Sequence, residues 1–141
     1  RQCLILSQYF DLAINKKGNG TSKITMGLYW IAPTHFLNLD RRNTWYIYES
    51  GKMPLDLVNN LPIISGDKIP ASKYFEIVDK LRAFLSSEQS TFKNFMELSF
   101  EAWRYSEEVN LQNRDEERQR KTKEPLQMKG KEENRTTKCN R

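Results

Sequence analysis

Cysteine, histidine and long apolar runs are what this chain has least of. Two cysteines, Cys3 and Cys139, are too few for a disulfide framework in 141 residues, and they read as two unpaired thiols in a reducing compartment. The single histidine, His35, excludes a multi-histidine metal site and reads as a loop or strand-end side chain. No stretch reaches the ~18 apolar residues of a membrane-spanning helix. The longest apolar cluster, Cys3 to Ile14, is interrupted by Ser7, Gln8 and Asp11. Gly-x-Gly-x-x-Gly, a phosphate loop, Cys-x-x-Cys and His-Glu-x-x-His are all missing. The acidic residues are scattered, and no pair has a spacing that suits general acid/base work. No motif therefore demands an enzyme, a cofactor or a metal. The first residue, Arg1, marks a processed chain or a fragment, so a missing targeting segment says nothing about compartment. Asn19-Gly20-Thr21 and Asn134-Arg135-Thr136 would count as glycosylation sequons only in a secreted protein.

What is present is charge, unevenly spread. The formal net charge is +5, from 23 Lys and Arg against 18 Asp and Glu. Residues 1–109 hold 13 basic and 12 acidic groups, and residues 110–141 hold 10 and 6. The basicity belongs to the C-terminal stretch. Beyond Asn110 only Leu111, Leu126, Met128 and Cys139 are apolar, too few to offset the entropy of ordering that segment. A flexible tail is expected there, with Arg114 to Lys123 extending the preceding helix into solvent.

The apolar pattern divides the rest. Cys3, Leu4, Leu6, Tyr9, Phe10, Ala13 and Ile14 recur at three- and four-residue steps, which predicts a helix over 2–15. It is apolar on nearly every side and should be buried between other elements. The glycines of Lys16-Lys17-Gly18-Asn19-Gly20 suit a left-handed C-cap. Ser22 to Ile31 reads as a strand with Ile24, Met26, Leu28 and Trp30 on one face. A second strand, Thr44 to Tyr48, follows the turn-like Asp40-Arg41-Arg42-Asn43. After a loop over 51–60, Leu61-Pro62-Ile63-Ile64 reads as a short strand, Ser65-Gly66-Asp67-Lys68 as a tight turn, and Ile69-Pro70-Ala71 as an edge strand. Ser72 is expected to cap a helix striped by Tyr74, Ile77, Val78, Leu81, Phe84 and Leu85. Ser90 is expected to cap another, with Phe92, Phe95, Met96, Ser99, Phe100 and Trp103 on one face.

From Leu61 onward the pattern resembles the second half of a glutathione-transferase N-terminal domain. The residues that carry the likeness are Leu61-Pro62-Ile63-Ile64, the Gly66-Asp67 turn, Ile69, and Ser72 opening an apolar helix. Ser72 to Leu81 looks most like the metaxin branch, and the likeness covers about residues 45–109. The resemblance implies a thioredoxin-like fold in which Pro62 is cis and begins a strand. It makes residues 1–89 an incomplete thioredoxin-like α/β domain, 90–110 the first helix of a truncated helical domain, and 111–141 a flexible basic tail. The expected class is α+β. Ser72 is the sole side chain transferable to a glutathione carboxylate. Departures include the absent first strand, the long insertion from Lys16 to Asn43, and Ala71 where glutathione-binding members often have an acidic or amide residue.

By resemblance, the expected role is a non-catalytic scaffold subunit of a mitochondrial or membrane-associated complex that handles imported proteins. Its partners would be other protein subunits, with a membrane surface nearby and no cofactor or metal. Trp30, Trp45, Tyr46, Phe100 and Trp103 are the candidate partner-binding residues. An alternative is an RNA-binding or ribosome-associated module. It would use the basic stretch Arg114 to Arg141 and the strand aromatics Tyr29, Trp30, Trp45, Tyr46 and Tyr48, which stack bases if exposed and fill a core if buried. A further alternative is a glutathione-dependent enzyme using Cys3, placed where the free amides of a helix start would favour a thiolate.

Overall fold

The computed structural model describes residues 2–138, with side chains described over 4–124. Its helices are α1 (Gln2–Ile14), α2 (Thr21–Ile31), α3 (Arg41–Tyr48), α4 (Leu55–Asn60), α5 (Ala71–Leu85) and α6 (Phe95–Lys138). No strand occurs among the described residues, so the expected α+β, thioredoxin-like core is overturned. The chain divides into two units, Arg1–Arg104 and Tyr105–Arg141.

In the first unit α5 supplies the largest share of the core. Its expected stripe forms, with Tyr74, Ile77, Val78, Leu81 and Leu85 buried and Phe84 half-buried. Phe10 of α1 stacks on the Tyr74 ring at 5.1 Å and 12°. Ile14, one turn further along α1, is also buried, as are Phe95, Leu98 and Ala102 at the start of α6. Burial of each of the larger side chains here, Phe10, Ile14, Phe95 and Leu98, is worth about 1.5–3 kcal/mol. The loop between α2 and α3 adds Leu37 and Leu39. It is held in place by the Tyr74 hydroxyl, which donates to the Leu37 carbonyl at 2.8 Å.

The two segments read as a hairpin are α2 and α3. In α2 the buried side chains are Thr21 and Thr25, while of the alternating apolar residues Ile24, Met26 and Leu28 are half-buried and Trp30 is exposed. The helix packs against loops whose free amides need acceptors, and the threonines provide them. Thr25 Oγ1 donates to the Thr21 carbonyl at 2.7 Å and accepts from the Leu39 amide at 2.8 Å. Thr21 Oγ1 donates to the Asp67 carbonyl and accepts from the Ile69 amide, each at 3.0 Å. In α3 the supposed turn is the helix start. Asp40 is its N-cap, accepting from the Asn43 amide at 2.8 Å, and Asn43, Tyr46 and Ile47 turn inward at helical spacing.

Other local expectations are corrected in the same way. The Leu61–Pro62 peptide is trans. Leu61 to Ile64 pairs with no strand; the Pro62 carbonyl accepts from the Tyr48 hydroxyl at 2.7 Å, and Ile63 is exposed. Ile69-Pro70-Ala71 is no edge strand, since Ala71 is the first residue of α5 and Pro70 its N-cap. Ser72 is therefore not the cap and is exposed within the first turn. Asp11 of α1 takes over the capping function, its Oδ1 accepting from the Ala71 amide at 2.8 Å. Ser90 closes a local turn with Phe92, whereas Asn94 caps α6 by accepting from the Glu97 amide at 2.9 Å. Glu97 reaches back one residue beyond the cap, its Oε2 accepting from the Lys93 amide at 2.7 Å.

Further expectations hold. The first helix lies over Gln2–Ile14, Gly18 adopts a φ of +84° just after it, and Gly66 sits in its turn at +75°. In the second unit α6 contains the extension expected over Arg114 to Lys123. Its exposed charges pair one turn apart, Lys121 with Glu117 at 2.9 Å and Arg118 with Asp115 at 3.9 Å. Such pairs contribute about 0.2–0.5 kcal/mol each to a solvated helix.

Candidate interaction surface

Inside the first unit, charge and polarity are spent on holding loops. Asn38 Oδ1 accepts from Asn43 Nδ2 at 2.7 Å and from Ser99 Oγ at 3.1 Å, while Asn38 Nδ2 donates to Asp40 Oδ2 at 3.0 Å. This network ties the start of α3 to the first turns of α6 and leaves its amide groups satisfied. Tyr48 has a pKa pushed up to about 12, first by burial and then by the charge of Glu76. The Tyr74 hydroxyl is raised further, again chiefly by burial. These are structural phenols in hydrogen bonds to loop carbonyls.

An open cleft of about 440 Å³ lies between Tyr46, Met53, Pro54, Phe84 and Phe92, with Lys52 and Glu101 at its polar side. Arg104 grips Glu101 through one guanidinium edge, Nε donating to Oε2 at 2.8 Å and Nη2 to Oε1 at 2.6 Å, and this hydrogen bonding holds the carboxyl below its ordinary pKa. The acid on this cleft is thus ionised and already engaged. His35 is exposed in the loop after α2. Among the described residues no group of three or more His, Cys, Asp or Glu side chains could hold a metal ion. The side chain of Cys3 and the whole of Cys139 lie outside the described residues.

The five aromatics singled out in the sequence are dispersed. Phe100 and Trp103 are exposed on α6, their ring centres 6.0 Å apart. Trp30 is exposed near the end of α2. Trp45 is half-buried, and Tyr46 is buried against the edge of Phe92 at 6.4 Å. Of these five, Phe100 and Trp103 stand as an exposed pair on one helix.

The larger feature lies on α1 and was not among them. Phe10 and Ile14 face the core, and Asp11 is turned toward the start of α5. On the opposite side Leu4, Ile5, Tyr9 and Leu12 are 68, 55, 66 and 66% exposed, with exposed Gln8 between them. The spacing 4, 5, 8, 9, 12 places these residues along one helical stripe. A helix that is apolar all round is ordinarily covered all round. Here only its inner half is covered by the rest of the first unit. The signal was present in the sequence as that all-round apolarity, and its consequence is an open surface rather than a buried helix. No described helix is long and apolar enough to cross a membrane.

No curated protein and no solved structure matches the chain. One family model does, over residues 4–105, a span that coincides closely with the first structural unit. The chain therefore belongs to the family described as a domain of unknown function, DUF8425.

Proposed function

We infer that this domain is a non-catalytic protein-interaction module. The observation that carries this is the outward half of α1, where four large apolar side chains stand open on a helix whose other half is core. Contiguous exposed apolar surface of this kind marks docking sites in soluble proteins. The polar groups inside the unit support the same reading, because they hold loops and helix starts in place. The scaffold role expected from the sequence is kept in this general form. Its mitochondrial setting depended on the thioredoxin-like resemblance, whose fold is overturned, and forms no part of the proposal.

The RNA-binding alternative gains little from α6. Over residues 114–124 five cations are interleaved with four acids, and Arg118 and Lys121 are paired with acidic neighbours. The experiment is cross-linking mass spectrometry of the full chain in its native extract, compared with Tyr9→Glu. Interaction through α1 predicts that intermolecular cross-links from Lys16 and Lys17, just beyond the helix, disappear in the variant while its circular dichroism is retained. An unchanged set of intermolecular cross-links would contradict it.

A further inference from the structure

We propose that the occupant of the α1 face is a second copy of this chain, docked face to face about a two-fold axis. The inference rests on the interaction reading above and names the partner. Charge argues first. From Gln2 to Ile14 the helix carries one charged residue, Asp11, and that carboxylate is occupied by the Ala71 amide inside its own unit. Leu4, Ile5, Gln8, Tyr9 and Leu12 present no charge at all. In a two-fold contact each group meets its own copy or that of a near neighbour, so any charge near the axis meets its like. A charge-free face avoids that repulsion.

The same chemistry disfavours other occupants. An anionic nucleic acid or lipid headgroup is recognised by Lys and Arg, and interfacial helices carry these on their polar face. Residues 2–14 contain neither. An acidic or basic peptide finds no opposite charge here. Gln8, in the middle of the stripe, carries both a donor and an acceptor, so its amide can pair with the Gln8 amide of a second copy across the axis.

Area argues next. At their observed exposures Leu4, Ile5, Tyr9 and Leu12 leave roughly 500 Å² open, close to the ~600–800 Å² that each partner brings to a modest specific interface. Exposed Gln8 adds to it. Tyr9, large and bearing one polar tip, is the residue type expected to anchor such a contact.

The test uses the purified full chain in sedimentation equilibrium over a wide concentration range, with two variants. The expected result is a reversible monomer–dimer equilibrium that Tyr9→Glu weakens by about ten-fold or more, as loss of an anchor residue does. Phe100→Glu, on the exposed face of α6, should leave it unchanged. A second measurement stands even if Tyr9→Glu folds poorly. In a Cys3→Ser, Cys139→Ser background, Gln8→Cys should give a covalent dimer with a short bismaleimide, and Ser87→Cys, exposed after α5, should not. A chain that stays monomeric at every concentration, with no Gln8→Cys cross-link, overturns the proposal. If such a monomer still shows Tyr9-dependent cross-links to other proteins in extract, the interaction reading survives and the second-copy partner falls. Sedimentation of the monomer with anionic phospholipid vesicles would overturn it in favour of a membrane surface.

Discussion

Thr25 shows how a polar residue becomes part of a core. Its hydroxyl hydrogen is committed to the Thr21 carbonyl one turn back, which leaves its lone pairs aimed at the Leu39 amide. Thr25→Val keeps the shape and removes that acceptor. The buried Leu39 amide would then be unsatisfied, at a cost of about 1–3 kcal/mol. Urea unfolding should report that loss, and Thr25→Ser should recover most of it by restoring the hydroxyl. Wild-type stability in Thr25→Val together with a loss in Thr25→Ser would show that the methyl, not the hydrogen bond, matters. Tyr48 makes a different prediction. Its pKa is raised from 10.0 to about 12 because burial and Glu76 disfavour the phenolate. The folded state therefore binds the proton more tightly than the unfolded chain. Its contribution is complete below pH 10 and is lost as pH climbs toward 12. Stability followed by urea midpoint should decline through that window, and Tyr48→Phe should make the decline shallower. A decline of the same steepness in the variant would place the alkaline sensitivity elsewhere.

Helices α2 and α3 explain why local pattern failed where it did. In Ser22 to Ile31 the apolar residues alternate, and alternation is the signature of a half-buried strand. The helix that forms instead turns its threonines inward, because neighbouring loops need acceptors more than the core needs another aliphatic side chain. In α3 the residues Thr44-Trp45-Tyr46-Ile47-Tyr48 favour a strand by composition. Asp40 and Asn43 decide otherwise: their spacing suits a helix cap as well as a turn, and the cap is what forms. Helix α5 was legible because its stripe has an unambiguous helical period over four turns, even though its cap comes from Asp11, 60 residues away. Helix α1 was legible as a helix and misleading as to burial. That difference gives an element-scale expectation. Leu12→Gln, at an exposed position, should alter monomer stability by no more than about 0.5 kcal/mol. A buried position of the same kind would cost about 2–5 kcal/mol. Chemical denaturation at low protein concentration distinguishes the two, and a loss of the larger size would mean that α1 is covered within its own unit.

For the molecule as a whole, the resemblance read from Leu61 onward rested on local features: a Leu-Pro pair, a glycine turn and an apolar helix opened by serine. The Leu-Pro pair, the glycine turn and the apolar helix are present, yet none specifies a sheet; with a trans Leu61–Pro62 bond the first two lie in a loop between α4 and α5, and Ser72 does not open the helix. Topology depends on long-range partners such as Thr21 with Ile69 and Tyr74 with Leu37, which no spacing along the chain reveals. The uneven charge was legible from counting alone. It leaves residues 1–109 close to neutral, at 13 basic against 12 acidic groups, and the outer face of α1 carries no charge, which suits contact between like surfaces. The central claim is that the outer face of α1 is open in the monomer and covered by a second copy. Hydrogen exchange of the full chain at increasing concentration tests it most directly. Amides over residues 4–12 should become progressively protected as concentration rises, while those over 74–85 of α5 should not change. Protection of residues 4–12 that is the same at every concentration would contradict it.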